Sequence, residues 1–364
     1  MKTLLRVGIA GLGRAGQGMQ PSELAAFPDL FRITAGCDVD ASRRANLPPP
    51  FADATLHADF DHLLADPNVD VVSIATRHAD HTPMAIRALD AGRYVVVEKP
   101  CALNTVQMDA LLAAARRHPD HLFLRLNRRF EAPFQKVLQL MRGGLLGTVN
   151  QIKLYRMVGY CRRNDWMTVS SQGGGLFMNW GPHLVDQALQ MLESPVVDCW
   201  ADIRNVISIG DGDDHIKILL RARNGRVADI ELSGATTISG HEIEIRGSRG
   251  TLIYPVDGKI KMRFVDPDFA FRPLQAHAGQ PPLQYGNFEE HPTFVEQLVD
   301  VPAIPGGEIW RRIHASIFRG EAFPVTLEQG AEVIRIIEQA YVASGFKPAT
   351  AFLGPGKRPA TAAS

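Results

Sequence analysis

The apolar and polar positions of this chain change rhythm about one third of the way along. Up to about residue 124, short apolar runs alternate with helical periods. "LLRVGIA", "FRITAGCDV", "VDVVSIAT", "RYVVVEK" and "HLFLRLN" predict five strands. Between the later strands, "HTPMAIRALDAG" and "NTVQMDALLAAARRH" space their apolar residues as a helix does, the first closed by a glycine placed like a C-cap. Strand and helix in alternation predict a parallel sheet covered on both faces.

Beyond that point "FQKVLQLMRGGLLG" predicts a helix ending in glycines. The runs "TVNQIKLYRMV", "HIKILLRAR", "RVADIELSG", "EIEIRGS" and "GTLIYP" follow, several alternating apolar with polar residues, and "RNGR" between two of them is a hairpin signal. Such alternation predicts a large, mostly antiparallel sheet with one wet face. A helical period returns in "TLEQGAEVIRIIEQAYVAS", and the tail "GPGKRPATAAS" is small and polar, as a loose terminus is. The expected organisation is an α/β domain over residues 1–124, a second α/β domain over 125–350 and a loose tail over 351–364. A length of 364 residues suits two domains.

Composition narrows the function classes. Hydrophobic residues at 45% and charged residues at 21% describe an ordinary globular chain. Lys plus Arg and Asp plus Glu both number 39, so no global field recruits nucleic acid or an anionic membrane. No apolar run approaches the roughly 20 residues of a spanning helix. The start "MKTLLRVGIAGLG" is interrupted by Arg6 and flows into glycines, which reads as a first strand and not as a signal peptide. The four cysteines lie far apart with no C-x-x-C pair, against structural zinc and against a disulfide framework. A reducing, cytoplasmic location is expected, with Cys37 and Cys101 as plain buried thiols.

Three segments carry chemistry. "GLGRAG" follows the first strand and offers Gly11, Gly13 and Gly16, with Arg14 and Ala15 between them. In that strand-to-helix context Gly11 permits the tight turn, Gly13 lets backbone approach a pyrophosphate, and Gly16 lets helix and sheet pack closely. The helix N-terminus offers free N–H groups to phosphates. Asp38, 22 residues after Gly16, ends the second strand where an acid accepts the adenosine ribose hydroxyls. That favours NAD, while Arg14, Arg43 and Arg44 leave NADP possible. "IATRHADH" places Ala75, Thr76, His78 and His81 at the carboxyl end of a parallel strand, where they would line a cofactor cleft or cap the following helix. "GGGLFMNWGPHLVDQALQML" leads glycines into an amphipathic helix whose Asn179, His183 and Asp186 fall near one face.

Taken with "EKP" (Glu98, Lys99, Pro100), "NRRF" (Asn127 to Phe130) and "IEIRGSRGTL", these motifs resemble the Gfo/Idh/MocA family, the glucose–fructose oxidoreductase and inositol dehydrogenase relatives. The resemblance spans about residues 5 to 345. It implies a Rossmann dinucleotide-binding domain, then an α/β domain whose open antiparallel sheet mediates oligomerisation, as a homodimer or homotetramer. It further implies that Lys99 reaches the oxygen of the reacting carbon and that His183 is the acid–base. Lys99 has a physical case as well, because a cation beside a carbinol oxygen stabilises the charge that develops as hydride leaves. Glu98 would sit near the nicotinamide ribose or pair with a neighbouring base. The "YCRRNDW" loop with Trp166 would lie over the substrate pocket, and with Arg128 and Arg129 it offers guanidinium groups suited to a carboxylate or phosphate, which leaves an anionic sugar open; no metal is expected. Two departures stand out: Arg77 and His78 replace the usual residues after Thr76, and Asn179 stands where inositol dehydrogenases carry an aspartate.

The expected function is NAD(P)-dependent oxidation or reduction at a secondary hydroxyl of a sugar, cyclitol or sugar derivative. A glycosidase working through transient C3 oxidation, or a non-catalytic dinucleotide-binding regulator, would use the same fold. A regulator has no need of both Lys99 and His183.

Overall fold

The structure, a computed structural model, describes residues 3–255, 258–281, 283–284, 290–301 and 306–347; the expected tail at 351–364 lies outside them. The first sheet contains β1 (Leu5–Ala10), β2 (Phe31–Cys37), β3 (Thr55–His57), β4 (Val71–Ile74), β5 (Tyr94–Glu98) and β6 (Leu122–Arg125). Their order is β3-β2-β1-β4-β5-β6 and every pair is parallel. This is the doubly wound order in which the chain reverses direction between β1 and β4, opening a crevice at the strands' carboxyl ends. Five of the six strands carry the apolar runs of the sequence. The sixth, β3, spans three residues at the sheet edge, where no apolar run is required to bury it.

The second sheet is built from β7 (Val149–Met157), β8 (Val196–Arg204), β9 (His215–Ala222), β10 (Val227–Ser233), β11 (His241–Gly247), β12 (Gly250–Pro255), β13 (Ile260–Val265) and β14 (Phe294–Val299). Its order is β14-β13-β12-β11-β7-β10-β9-β8. All its pairs are antiparallel except β7 with β10. The register divides the faces cleanly. Ala201, Ile218, Ile230, Leu154 and Ile243 follow one another across five strands and are all buried. The next row along, Trp200, Leu219, Asp229, Lys153 and Glu244, carries the charges. A period of two puts such alternate rows on opposite faces.

The helices are α1 (Gln20–Ala25), α2 (Ala41–Ala45), α3 (Phe60–Ala65), α4 (His78–Asp90), α5 (Thr105–Arg117), α6 (Ala132–Arg142), α7 (Leu176–Leu192), α8 (Glu308–Arg319) and α9 (Leu327–Ser344). Helix α9 starts with a capping box between Thr326 and Gln329 and packs on α5, α7 and β8. Helix α8 was not read from the sequence, although Ile309, Trp310 and Ile313 follow the helical spacing. It returns to the first sheet and buries those three residues with Leu5, Val7 and Ile9. Among the described residues no helix is long and apolar enough to cross a membrane.

Helix α7 lies between the two sheets' chemistry and its start is held from outside. Gly175, at φ +113°, precedes it and has no side chain to cap it. Asp213 supplies the cap instead: the Phe177 amide donates to Asp213 Oδ1 at 2.7 Å and Tyr341 donates to Oδ2 at 2.6 Å. A Cβ on Gly175 would run into that carboxylate, which is why only glycine fits.

Burial raises the Asp213 pKa from an ordinary 3.8 to about 6. Between those values the folded protein holds a proton that the unfolded chain has released. This group's contribution to stability therefore grows as pH falls from about 6 to 3.8 and is flat above about 6. The full change amounts to at most about 3 kcal/mol. Asp213→Asn should remove that slope, so wild type should gain stability over the variant on going from pH 6.5 to pH 4.5. Urea unfolding at the two pH values measures it, and equal slopes in both proteins would refute the assignment.

Candidate active site

The crevice between β1 and β4 begins with the glycine turn. Gly11 takes φ +90°, and its Cα packs against the backbone of Ala75 and Thr76, so a Cβ there would meet carbonyl and amide atoms at 2.6–2.7 Å. A Cβ on Gly16 would run into the Gly11 carbonyl oxygen. Gly13 is different: the one atom near its Cβ position is an Arg43 guanidinium nitrogen at 3.0 Å, so its other side is open for close approach. From Arg14 to Met19 the backbone is a π-helix that runs into α1. Its first main-chain bond is Gln17 N–H to the Gly13 carbonyl at 2.8 Å, ahead of which lie the amides of Arg14, Ala15 and Gly16. Asp38 accepts from the Leu12 amide at 2.8 Å and from the Asp40 amide at 2.9 Å, which ties the turn to the end of β2. Arg43 stands 3.9 Å from the same carboxylate. The cradle of backbone, free amides and an acid at the ribose position fits a nicotinamide dinucleotide: Gly11, Gly13 and Ala15 would line its pyrophosphate and Asp38 its adenosine ribose.

Lys99 follows directly on β5, two strands beyond β1. The Lys99–Pro100 peptide is cis. Its ammonium donates to both oxygens of Asn179, the carbonyl at 2.7 Å and Oδ1 at 3.1 Å. Burial lowers the Lys99 pKa from 10.5 to about 8, with Glu98 opposing and Arg14, Arg125 and Arg128 adding to the fall. Glu98 itself takes the second of its two expected roles. Gln20 Nε2 donates to its Oε1 at 3.0 Å and Arg125 Nη1 at 2.6 Å, with the side chain 6% exposed. Arg125 also pairs with Glu23, to which the Trp310 indole donates at 2.9 Å. Glu98 is thus a buried counter-charge for Arg125 under Lys99, and does not face an open cleft.

On α7, Asn179 and His183 are separated by one turn and both are buried. His183 Nδ1 is enclosed with no hydrogen-bond partner among the described residues. Burial, then the charges of Lys99, Arg128, Arg125 and Arg156, hold the imidazole pKa well below its usual value. Asp186 does not serve it. Arg129 clamps Asp186 through Nε at 3.0 Å and through Nη2, and also donates to the Pro324 carbonyl at 2.7 Å and Gln329 Oε1 at 2.6 Å. The Asp186–Arg129 pair thereby fastens α7 to the start of α9. Arg129, a candidate guanidinium for an anionic substrate, is instead buried in that pair, where a carboxylate and two carbonyl-type oxygens occupy its fork.

The two histidines of "IATRHADH" are buried: His78 and His81 are 4% and 1% exposed. His78 Nδ1 donates to the Gly173 carbonyl at 2.7 Å and His81 Nδ1 to the Pro100 carbonyl at 2.8 Å. Burial depresses both pKa values, so both rings are neutral struts that fix α4 to the loop before α7 and to the turn after Lys99. Trp166 packs edge-on against His78 at 4.8 Å, placing the arginine-rich loop over the start of α4. Thr76 donates to Met84 Sδ at 3.5 Å.

Arg128 leads to residues the sequence reading missed. Its guanidinium lies 4.5 Å from the Trp180 ring centre and that of Arg156 lies 4.2 Å from it. Trp180 stood in plain view beside Asn179. Arg156 and its partner Glu242 come from β7 and β11, 86 residues apart, and only the sheet brings them together. Among the described residues no three His, Cys, Asp or Glu side chains gather as a metal site.

Comparison with known proteins agrees with this geometry. Residues 5–125 match the model described as "Oxidoreductase family, NAD-binding Rossmann fold", and residues 134–253 match the "GFO/IDH/MocA C-terminal domain". A scyllo-inositol 2-dehydrogenase (NADP(+)) of Bacillus subtilis is 26% identical over 93% of this chain and 94% of its own. A myo-inositol 2-dehydrogenase of Thermotoga maritima is 26% identical over 68% of this chain and 74% of its own. In fold, an NAD-binding protein from Listeria innocua superposes with a TM-score of 0.77 at 24% identity, covering 94% of this chain and 95% of that one. With a glycine turn built for a dinucleotide at one end and both halves of the family pattern matched in order, the chain belongs to the GFO/IDH/MocA family of NAD-binding oxidoreductases.

Proposed function

We propose that this protein transfers a hydride between NAD(P) and a secondary hydroxyl or ketone carbon of a sugar, cyclitol or sugar derivative, with Lys99 and His183 at the reacting carbon. The observation that carries the reading is the meeting of Lys99 with α7. A cation from the nucleotide-binding sheet is held against Asn179, one turn from a buried neutral histidine. Bound NAD supplies the hydride acceptor at this crevice. A carbinol carbon gives up hydride only as its hydroxyl proton leaves, so the chain must receive a proton and stabilise an oxygen anion. His183, kept neutral by burial and by the cations around it, has the lone pair to receive that proton. The Lys99 ammonium supplies the positive charge for the oxygen. The inositol dehydrogenases among the relatives support a polyhydroxylated ring as substrate. We further assign the charged outer face of the second sheet, where exposed Trp200 pairs across strands with Leu219, to self-association as a homodimer or homotetramer.

Lys99→Met should leave NAD affinity nearly intact and lower kcat/KM about a hundredfold, the scale of one lost charge-stabilising group. Lys99→Arg should not restore it, since a planar fork cannot take the place of a compact ammonium. Steady-state assays on a panel of sugars and cyclitols, with calorimetric titration of NAD, measure both. Turnover unchanged in Lys99→Met would return the strand end to a purely structural role.

Cofactor choice rests on Asp38, whose carboxylate opposes a 2′-phosphate. NAD should bind more tightly than NADP, and Asp38→Ser should narrow or reverse the gap on calorimetric titration. A wild-type preference for NADP would put Arg43, 3.9 Å from Asp38, in control.

Asn179→Asp tests the charge at Lys99. A carboxylate where Oδ1 now lies, 3.1 Å from Nζ, raises the Lys99 pKa above about 8. The protonated lysine is the active form, so wild-type kcat/KM should decline as pH passes about 8 and the variant's decline should move to higher pH. A limb that stays in place would assign it to another group.

A further inference from the structure

Two guanidiniums meet over one indole beside His183. Arg128, from the segment ahead of α6, and Arg156, from β7, lie over the Trp180 ring with their guanidinium carbons 4.5 and 4.2 Å from its centre. Trp180 precedes His183 by three residues on α7, so the two side chains project on one side of the helix. Their rings meet edge to face with centroids 6.1 Å apart. Like charges gathered this closely repel, and the surroundings compensate. Arg128 Nη1 donates to Glu131 at 3.0 Å, Arg156 Nη1 donates to Glu242, and the indole face attracts both cations. Arg156 Nε is buried with no partner among the described residues, so part of this charge is held out of water. Packing alone would be served as well by apolar side chains, without that desolvation cost.

After burial, the largest influences on the imidazole come from Lys99 at the end of β5, Arg128, Arg125 on β6 and Arg156, which share one sign. The acids around α7 are engaged: Asp186 by Arg129, Asp165 ahead of Trp166 by Arg163, and Asp213 by the Phe177 amide and Tyr341. Strands β9 and β10 and helix α9 also pack on α7, and they contribute Ile218, Ile230 and Ile337 to the buried core. In the oxidation proposed above, the carbinol O–H proton passes to the imidazole and the C–H hydride to NAD. The imidazolium so formed lies among like charges and gives its proton up readily to water, which returns the ring to its accepting form.

We propose that Trp180, Arg128 and Arg156 are positioning residues for His183: the indole fixes the plane of the imidazole, and the two guanidiniums disfavour a further positive charge beside them, so that the ring meets the substrate as a proton acceptor. The inference rests on the oxidoreductase reading above, while its first test requires no substrate. The full-length protein carrying isotope-labelled histidine is titrated by NMR between about pH 5 and pH 8, with His183→Gln identifying the His183 signal. The wild-type ring should stay neutral through the ordinary histidine midpoint of about 6.5. Arg128→Met and Arg156→Met should each move the midpoint upward, and together by about 1 pH unit or more. Glu242→Gln, which strips Arg156 of its counter-charge, should not raise it. Loss of packing alone would not produce opposite responses to opposite changes of charge. With a substrate from the sugar and cyclitol panel, the acidic limb of kcat/KM should follow the same order. Trp180→Leu should lower kcat about tenfold with NAD affinity kept, and Trp180→Phe should restore most of it. Circular dichroism checks the fold of each variant, and should the double variant not fold, the two single ones decide. A His183 midpoint that stays in place when the arginines are replaced overturns the proposal whatever the substrate, and equal losses in the leucine and phenylalanine variants overturn the part given to the indole. A midpoint that moves as expected while no sugar or cyclitol reduces NAD upholds the effect on His183 and sinks the redox reading.

Discussion

The hydrogen bonds from the Lys99 ammonium to both oxygens of Asn179 are the constraint on which the rest of the site depends. They join the carboxyl end of β5, in the nucleotide-binding sheet, to the helix that carries His183. A charged group drawn out of water demands full compensation, and here one residue offers two acceptors where a carboxylate would have offered a charge. The outcome is a lysine whose pKa falls to about 8, beside an imidazole that is neutral. The cation and the neutral imidazole thus differ in protonation state, which is the division of labour that the proposed proton removal with charge stabilisation requires.

Support for that arrangement runs below it in two buried ion networks. Glu98, Arg125, Glu23 and Trp310 connect β5 and β6 to α1 and to the late helix α8. Arg129 and Asp186 connect α7 to the segment entering α9. Buried pairs of this kind are weak evidence for net stability, but removing one partner strands the other charge. Their geometry explains why the acids adjacent to Lys99 and His183 are not themselves available. Glu98 is spent on Arg125 and Asp186 on Arg129, so neither of these two carboxylates steadies the protonated form of the His183 imidazole.

The glycine turn shows a second kind of constraint, one of space. Gly11 and Gly16 are fixed by backbone atoms that leave no room for a Cβ, whereas Gly13 is open on the side from which a pyrophosphate approaches. Asp38 links this turn to β2 through the Leu12 amide, so the acid proposed to face the adenosine ribose also shapes the glycine turn.

The sequence by itself determined the repeating parts. The five apolar runs of the first sheet, the alternating strands of the second and the glycine turn were legible because each is specified by neighbours a few residues away. Lys99, Asn179 and His183 were legible as candidates for the same reason, since EKP and the α7 segment are short local patterns. What only the tertiary structure decided is the partner of each charged group. Glu98 and Arg125 are 27 residues apart, Arg129 and Asp186 57, and Arg156 and Glu242 86. His78 and His81 sit in a stretch that reads as a cleft, yet they are spent on the carbonyls of Gly173 and Pro100, one of them 95 residues distant. Backbone periodicity is a local property, whereas the pairing of a buried charge is a competition among every acceptor the fold brings within reach, and that competition has no signature along the chain.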